Sequence, residues 1–328
     1  MDRVRIGVVG VGPNAQVSHL PVLNSFKDVD IVALCDIDED MLQNAGRQWN
    51  VKDLFTSHHD MIERTALDGI SVVTAVSAVG LVAGDCLKNG IKTLIEKPPG
   101  ITLKDTKMLL EAANEGRTWG MVAFNRRFVP LVTESKSLIE AEGPIISIIT
   151  EFHPFNFEHY REAGISEEAL RHFHAAQSIH AVDLMHFLGG PVKEVTGEMY
   201  SPLSPYGDSF NAMLRFESGA VGHIICNYSS STRMERAQIF GNGITVVLEG
   251  SHPTGPIPYT FEMAKLYKGN LRNIITSETK DSCWNAGFVQ ENRFFIDCIK
   301  HERPPRLPAA DLEEAVRTME IIESVVNH

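Results

Sequence analysis

Between residues 4 and 125 the chain repeats one pattern: a short run that is apolar on both faces, then a stretch with helical periodicity. The runs are "VRIGVVG" (residues 4–10), "VDIVALCD" (29–36), "DLFTS" (53–57), "GISVVTAVS" (69–77), "KTLIE" (92–96) and "WGMVAFN" (119–125). A strand with no polar face must be covered on both sides, and a parallel sheet sandwiched between helices does this. The intervening segments "DEDMLQNAGRQW" and "TLKDTKMLLEAANEG" supply such helices, the second opening on Thr102 as N-cap and closing on Gly116. Strand–helix alternation of this kind specifies an α/β domain with a doubly wound parallel sheet.

After "NRRFVP" the pattern changes. A helix over 131–143 precedes a strand over 145–153, a polar segment over 154–177 and a helix over 178–190 that stops at Gly189-Gly190-Pro191. Two hairpins follow, "NAMLRFES" with "GAVGHIICNYS" turning at Ser218-Gly219, and "AQIFGNGITVVLEG" turning at Asn242-Gly243. A last amphipathic helix covers 311–326. A chain of 328 residues exceeds one ordinary core. The expected division is therefore 1–122, a doubly wound domain, and 123–328, an α+β domain with a large, mostly antiparallel sheet.

The net charge of −12 speaks against non-specific nucleic-acid binding and gives no attraction to anionic membranes. Five cysteines, an odd number without a C-x-x-C pair, fit a reducing cytoplasm better than a disulfide framework. The first apolar run is too short, and too broken by glycine, for a signal peptide, and no stretch is long enough to span a bilayer.

The turn after the first strand reads "GVGPNA", the G-x-G-x-x-A pattern of Gly10, Gly12 and Ala15 around Asn14. Glycines there permit a tight turn and close approach of a pyrophosphate to a helix N-terminus. Asp36 ends the second strand at roughly the 20-residue spacing at which a carboxylate accepts from an adenosine ribose. Together these features define a Rossmann dinucleotide site. Asp36, Asp38 and the absence of an arginine at Ile37 favour NAD over NADP. In an open α/β sheet, ligands lie beyond the carboxyl ends of the strands. The expected cofactor residues are therefore Gly10, Gly12, Asn14, Ala15, Asp36, Ile37, Thr74, Ala75, Glu96, Lys97 and Asn125. This frame also explains why the strand in "KTLIEKPPGIT" ends on Glu96-Lys97 before two prolines: that end belongs to a site. The competing reading is a surface salt bridge.

The order of "GVGPNAQVSHLP", "ALCDID", "EKPPGIT", "FNRRFVP", "HAVDLMHFLGG", "FESGAVG", "IFGNGITVVLEG" and "ENRFFIDCI" resembles the glucose–fructose oxidoreductase, inositol dehydrogenase and rhizopine-catabolism (Gfo/Idh/MocA) family over nearly the whole chain. The resemblance implies a two-domain NAD(P)-dependent oxidoreductase acting on a sugar, cyclitol or related polyol. It also implies that Lys97 of the Glu-Lys-Pro motif lies near nicotinamide and substrate, with His180 and Asp183 of H-x-x-D across from it, and that Lys97–Pro98 is cis. Two positions depart from the pattern. Ala176 stands where many relatives carry aspartate, and residues 74–79 are more apolar than the usual Thr-Pro-Asn loop. They leave room for a different substrate, for a regulator without catalysis, or for a relative that uses NAD transiently to cleave a glycoside.

Hydride removal from an alcohol carbon needs a base for the hydroxyl proton, and a desolvated lysine or a histidine can serve. Lys97, His180 and Asp183 are thus the catalytic candidates, and Lys97, Arg127, His153 and His180 the substrate-binding ones. Ser178 is the expected N-cap of the helix carrying His180, with Asp183 orienting the ring. Arg126 and Arg127 suit either a substrate anion or a charge pair at the domain junction. The histidines at 153, 159, 172, 174, 180 and 186 show no ligand spacing, so no metal is expected. Trp284 is expected to pack in the interior. The sheet predicted over 211–249 is apolar on both faces, which points to a homodimer or homotetramer formed through it.

Overall fold

The computed structural model describes residues 3–162, 165, 167–252, 260–277 and 279–326. They form two compact units, Met1–Phe124 with Phe288–Val316, and Asn125–Gly287 with Arg317–His328.

The first unit is built on strands β1 (Val4–Val9), β2 (Val29–Cys35), β3 (Asp53–Phe55), β4 (Gly69–Val72), β5 (Thr93–Glu96) and β6 (Gly120–Ala123). They are parallel, in the order 3-2-1-4-5-6 of a doubly wound dinucleotide-binding sheet. β4, β5 and β6 are buried along their whole length, as the two-sided apolar runs require. Thr102 and Asp105 close a reciprocal capping box on the helix Leu103–Glu115, and the Asp38 carboxylate accepts from Met41 N at the start of Glu39–Trp49.

Two strands are shorter than their apolar runs. β1 ends at Val9, opposite Val72, so β4 loses its partner there, and the rest of "GISVVTAVS" turns into the helix Val76–Lys88. β6 stops at Ala123, and Asn125–Phe128 forms a 3-10 turn. The chain also returns to this unit late, although the sequence division assigned everything after residue 122 to the second domain. The helix Phe288–Lys300 brings Phe295 and Ile299 against Gly69, and Ala310–Asp311 pairs antiparallel with β6. Coverage of the sheet and of its open edge drives this return.

The second unit contains β7 (Ser147–His153), β8 (Val192–Tyr200), β9 (Ser209–Phe216), β10 (Val221–Asn227), β11 (Arg233–Phe240), β12 (Ile244–His252), β13 (Met263–Lys268) and β14 (Leu271–Thr276). The order is 14-13-12-11-7-10-9-8, antiparallel throughout except for β7 beside β10. Both expected hairpins are present. The edge strands β8 and β14, and β13 beside β14, escape the sequence reading, because charged residues interrupt their apolar positions.

One face of the sheet lies under the helix Ile179–Gly189: Thr150 Oγ1 donates to Ala181 O at 3.2 Å, and Met185 packs over Gly222. The opposite face alternates half-exposed apolar and charged side chains, including Ile149, Met213, Ile225 and Met234. No helix among the described residues is long and apolar enough to cross a membrane.

Candidate functional site

In the first unit, Gly10 adopts φ +90°, and a Cβ there would sit 2.3 Å from Val73 O. Only glycine fits at this contact between the first turn and the residue after β4. Gly12 differs: an added Cβ would meet no described atom within 4 Å. Its protein surroundings do not demand glycine, whereas close approach of a pyrophosphate does. Ala15 opens a π-helical turn, Ala15–His19, that runs into the helix Leu20–Ser25, and it is wholly buried, as tight packing on the sheet requires. The Asp36 carboxylate accepts from Val11 N at 2.8 Å and from Asp38 N at 3.0 Å. It thereby holds the glycine turn against the end of β2. Ile37 beside it is 91% exposed. Thr74 and Ala75 lie in the turn after β4, where the Thr74 hydroxyl is buried without a hydrogen-bond partner among the described residues.

β5 delivers the charged pair. Glu96 is buried, with Oε1 3.0 Å from His19 Nε2 and accepting from Asn14 Nδ2 at 3.0 Å. Burial pushes its carboxyl up, but His19, the Lys97 ammonium and the Asn14 amide outweigh burial and hold it below the usual carboxylate range. His19 Nδ1 lies 3.5 Å from the Asn292 amide oxygen. Thus the turn, the end of β5 and the helix Phe288–Lys300 are tied through one polar cluster in which His19, Glu96 and Asn292 are buried. Lys97 follows, half-buried, and Lys97–Pro98 is cis.

In the second unit, His180 is almost fully buried, with its ring centroid 5.4 Å from that of Phe152 on β7. Ser178 precedes the helix but its side chain makes no capping bond to it. A π-helical turn, His174–Ser178, runs directly into Ile179–Gly189, and Ser178 is itself helical with its hydroxyl bonded to Tyr228. His180 therefore sits inside a continuous helix rather than at a free N-terminus, which removes the dipole expected to act on it. Ala176 lies within this π turn.

Asp183 and Arg127 meet each other. Arg127 Nε lies 3.1 and 3.0 Å from the two carboxylate oxygens and Nη2 donates to Oδ1 at 2.7 Å. Thr318 Oγ1 adds a contact at 3.2 Å. Both charged side chains are at most 1% exposed. Burial raises the Asp183 carboxyl against the pull of Arg127. This ion pair, rather than the His180 ring or a substrate, is where the structure places both residues.

His153 is also displaced from its expected company. It lies two residues along β7 from Glu151, on the face opposite Phe152 and Thr150, so the strand pleat separates it from His180. Asn125 is buried and its amide donates to Ala286 O at 2.8 Å within the second unit. Trp284 is 44% exposed, not interior: it sits in the one-turn helix Ser282–Asn285, none of whose residues is buried.

The profile described as "Oxidoreductase family, NAD-binding Rossmann fold" matches residues 4–124, and the Gfo/Idh/MocA C-terminal domain profile matches residues 147–247. The chain belongs to the Gfo/Idh/MocA family. It is an NAD-binding oxidoreductase of that family. Scyllo-inositol 2-dehydrogenase (NAD(+)) of Bacillus subtilis is 24% identical over 92% of this chain and 88% of its own. D-apiose dehydrogenase of Paraburkholderia graminis is 22% identical over 99% and 87%. The crystal structure of a dehydrogenase from Chromobacterium violaceum superposes with a TM-score of 0.85, at 21% identity, covering 99% of this chain and 94% of that one.

Within this Gfo/Idh/MocA chain, sequence reasoning missed two polar sets. Asn292 was visible only as part of "ENRFFIDCI"; its tie to His19 joins residues far apart in the chain. Arg126 donates through Nε and Nη2 to Glu235 at 2.9 and 2.7 Å, and Arg233 Nη2 shares the same carboxylate at 2.6 Å. Arg233 also stands over the Phe152 ring at 4.9 Å. Burial alone would raise Glu235, but the two guanidiniums bring it down to about 2.

Proposed function

We propose that this chain is an NAD-dependent dehydrogenase that oxidises a hydroxyl carbon of a sugar, cyclitol or related polyol. The first unit would bind the dinucleotide and the second the substrate. The observation that carries the reading is the tie of the buried Glu96 to Asn14 and His19. It anchors the end of β5 to the glycine turn, so that Lys97 is the next side chain out at the carboxyl end of the sheet, where ligands of such sheets sit. The names of the inositol and apiose dehydrogenases favour a polyol substrate.

NAD would accept the hydride. Gly10, Gly12, Asn14 and Ala15 would hold its pyrophosphate, Asp36 its ribose hydroxyls, and the Thr74–Ala75 turn and Lys97 its nicotinamide end. Asp36 and the nearby Asp38 would repel a 2′-phosphate, so NADH should bind more tightly than NADPH. Lys97 Nζ would hold and move the proton of the substrate hydroxyl, and His180 Nε2 or Nδ1 would be the second group to bond or relay it.

The half-exposed apolar residues on the open face of the second unit's sheet, Met213, Ile225 and Met234 among them, support a homo-oligomer formed through that face. A monomeric mass by light scattering at micromolar concentration would argue against it.

A panel of sugars, cyclitols and their acids incubated with NAD, read by NADH absorbance, tests the catalytic reading. Turnover of one class is the expected result. NAD binding without turnover of any member would favour a regulator, and glycoside cleavage without net NADH would favour the transient use of NAD.

A further inference from the structure

The geometry points to a divalent transition-metal site, of the zinc type, on the first unit, formed by His58, His59 and Asp85. The two histidines open the helix His58–Arg64, and Asp85 lies in the last third of the neighbouring helix Val76–Lys88. One ligand atom from each residue lies within 4.8 Å of the others. The edge of a tetrahedron with bonds of about 2.0 Å is roughly 3.3 Å. His58 Nε2 is 3.0 Å and His59 Nε2 3.6 Å from the same oxygen, Asp85 Oδ2, bracketing that value.

The alternative, a plain His–Asp ion pair, accounts for His58 but not for His59, which stacks on His58 with ring centroids 4.1 Å apart and turns its nitrogen to an oxygen already engaged. Two imidazoles and one carboxylate leave a fourth position for water, the donor set that zinc accepts. His59 is 60% exposed and provides the entry path, while His58 and Asp85 are partly shielded. Cys86, next to Asp85 in the chain, is fully buried and does not join this group of ligand atoms. Asp85 is about nine residues along its helix from Val76, and at 1.5 Å per residue that is on the order of 13 Å from the turn that follows β4. The ion would therefore brace two helices of the dinucleotide unit and take no part in proton transfer.

Calorimetric titration of Zn²⁺ into tag-free, chelator-dialysed full-length protein tests this. One ion per chain should bind at micromolar or lower concentration, and Zn²⁺ should raise the melting temperature. His59→Gln, a change at an exposed side chain, should weaken binding at least tenfold, and the double variant His58→Gln/His59→Gln should abolish it, with NAD affinity unchanged in both. Absence of binding by the wild type at micromolar Zn²⁺, or binding undiminished in the double variant, would overturn the assignment.

Discussion

His19 Nε2 and Glu96 Oε1 lie 3.0 Å apart with both side chains out of solvent. The contact joins the turn Ala15–His19 to the end of β5, and it explains a strand that ends on charge: Glu96 is a structural anion turned inward, and Lys97 follows it at the carboxyl end of the sheet. Glu96→Ala should leave the buried His19 donor unpaired, at about 1–3 kcal/mol, while the exposed Asn14 amide can turn to water at little cost. Glu96→Gln keeps an acceptor and should cost less. Urea unfolding together with NAD titration checks this. An alanine variant with wild-type stability and NAD affinity would show the cluster to be dispensable.

Lys97→Ala should lower kcat by about 10²–10⁴-fold, the usual contribution of a positioned acid–base group, with little change in the dissociation constant for NAD. Turnover near that of the wild type would return Lys97 to a salt-bridge role.

His180→Asn retains a hydrogen bond but cannot take a proton. If His180 moves a proton, the variant should lose turnover and the limb of the pH–rate profile that reports the histidine. Near-normal turnover with an unchanged profile would reduce His180 to a hydrogen-bonding contact.

Breaking the Arg127–Asp183 pair should unfold the second unit more readily. Asp183→Asn strands a buried guanidinium, at about 3–5 kcal/mol, whereas the double change Arg127→Met/Asp183→Leu should cost much less. Urea denaturation of the three proteins decides. Wild-type stability in Asp183→Asn combined with lost turnover would restore Asp183 to catalysis.

Glu235 carries a pH signature. Its carboxyl titrates at about 2 in the folded protein, against a reference of 4.5. The unfolded chain therefore takes up the proton first as pH falls. The stability it contributes, roughly 3 kcal/mol by linkage, is complete above about 4.5 and disappears as pH drops through about 2. The stability gap between wild type and Glu235→Gln should thus be full at pH 7 and narrow below pH 4.5. A gap that stays constant down to pH 3 would show that the two arginines do not hold the carboxylate ionised.

Features that depend on local periodicity were legible from residues alone. Runs apolar on both faces specify a parallel sheet because nothing else buries both faces. The glycine turn, Asp36 at the end of β2 and the Thr102 cap follow from backbone needs that neighbouring residues meet. The two hairpins announced themselves through Ser218-Gly219 and Asn242-Gly243. Tertiary structure decided which distant residues share a charge and which face a side chain takes. Nothing near Arg127 in the chain names Asp183 as its partner, nor Asn292 as that of His19, and His58 and His59 meet Asp85 only because their two helices are neighbours. The place where β4 ends depends on where β1 ends, and the separation of His153 from His180 depends on a pleat set by pairing across the sheet. A buried charge takes whatever partner the topology brings within reach, and that topology comes from burying the whole core at once, information that no single segment holds.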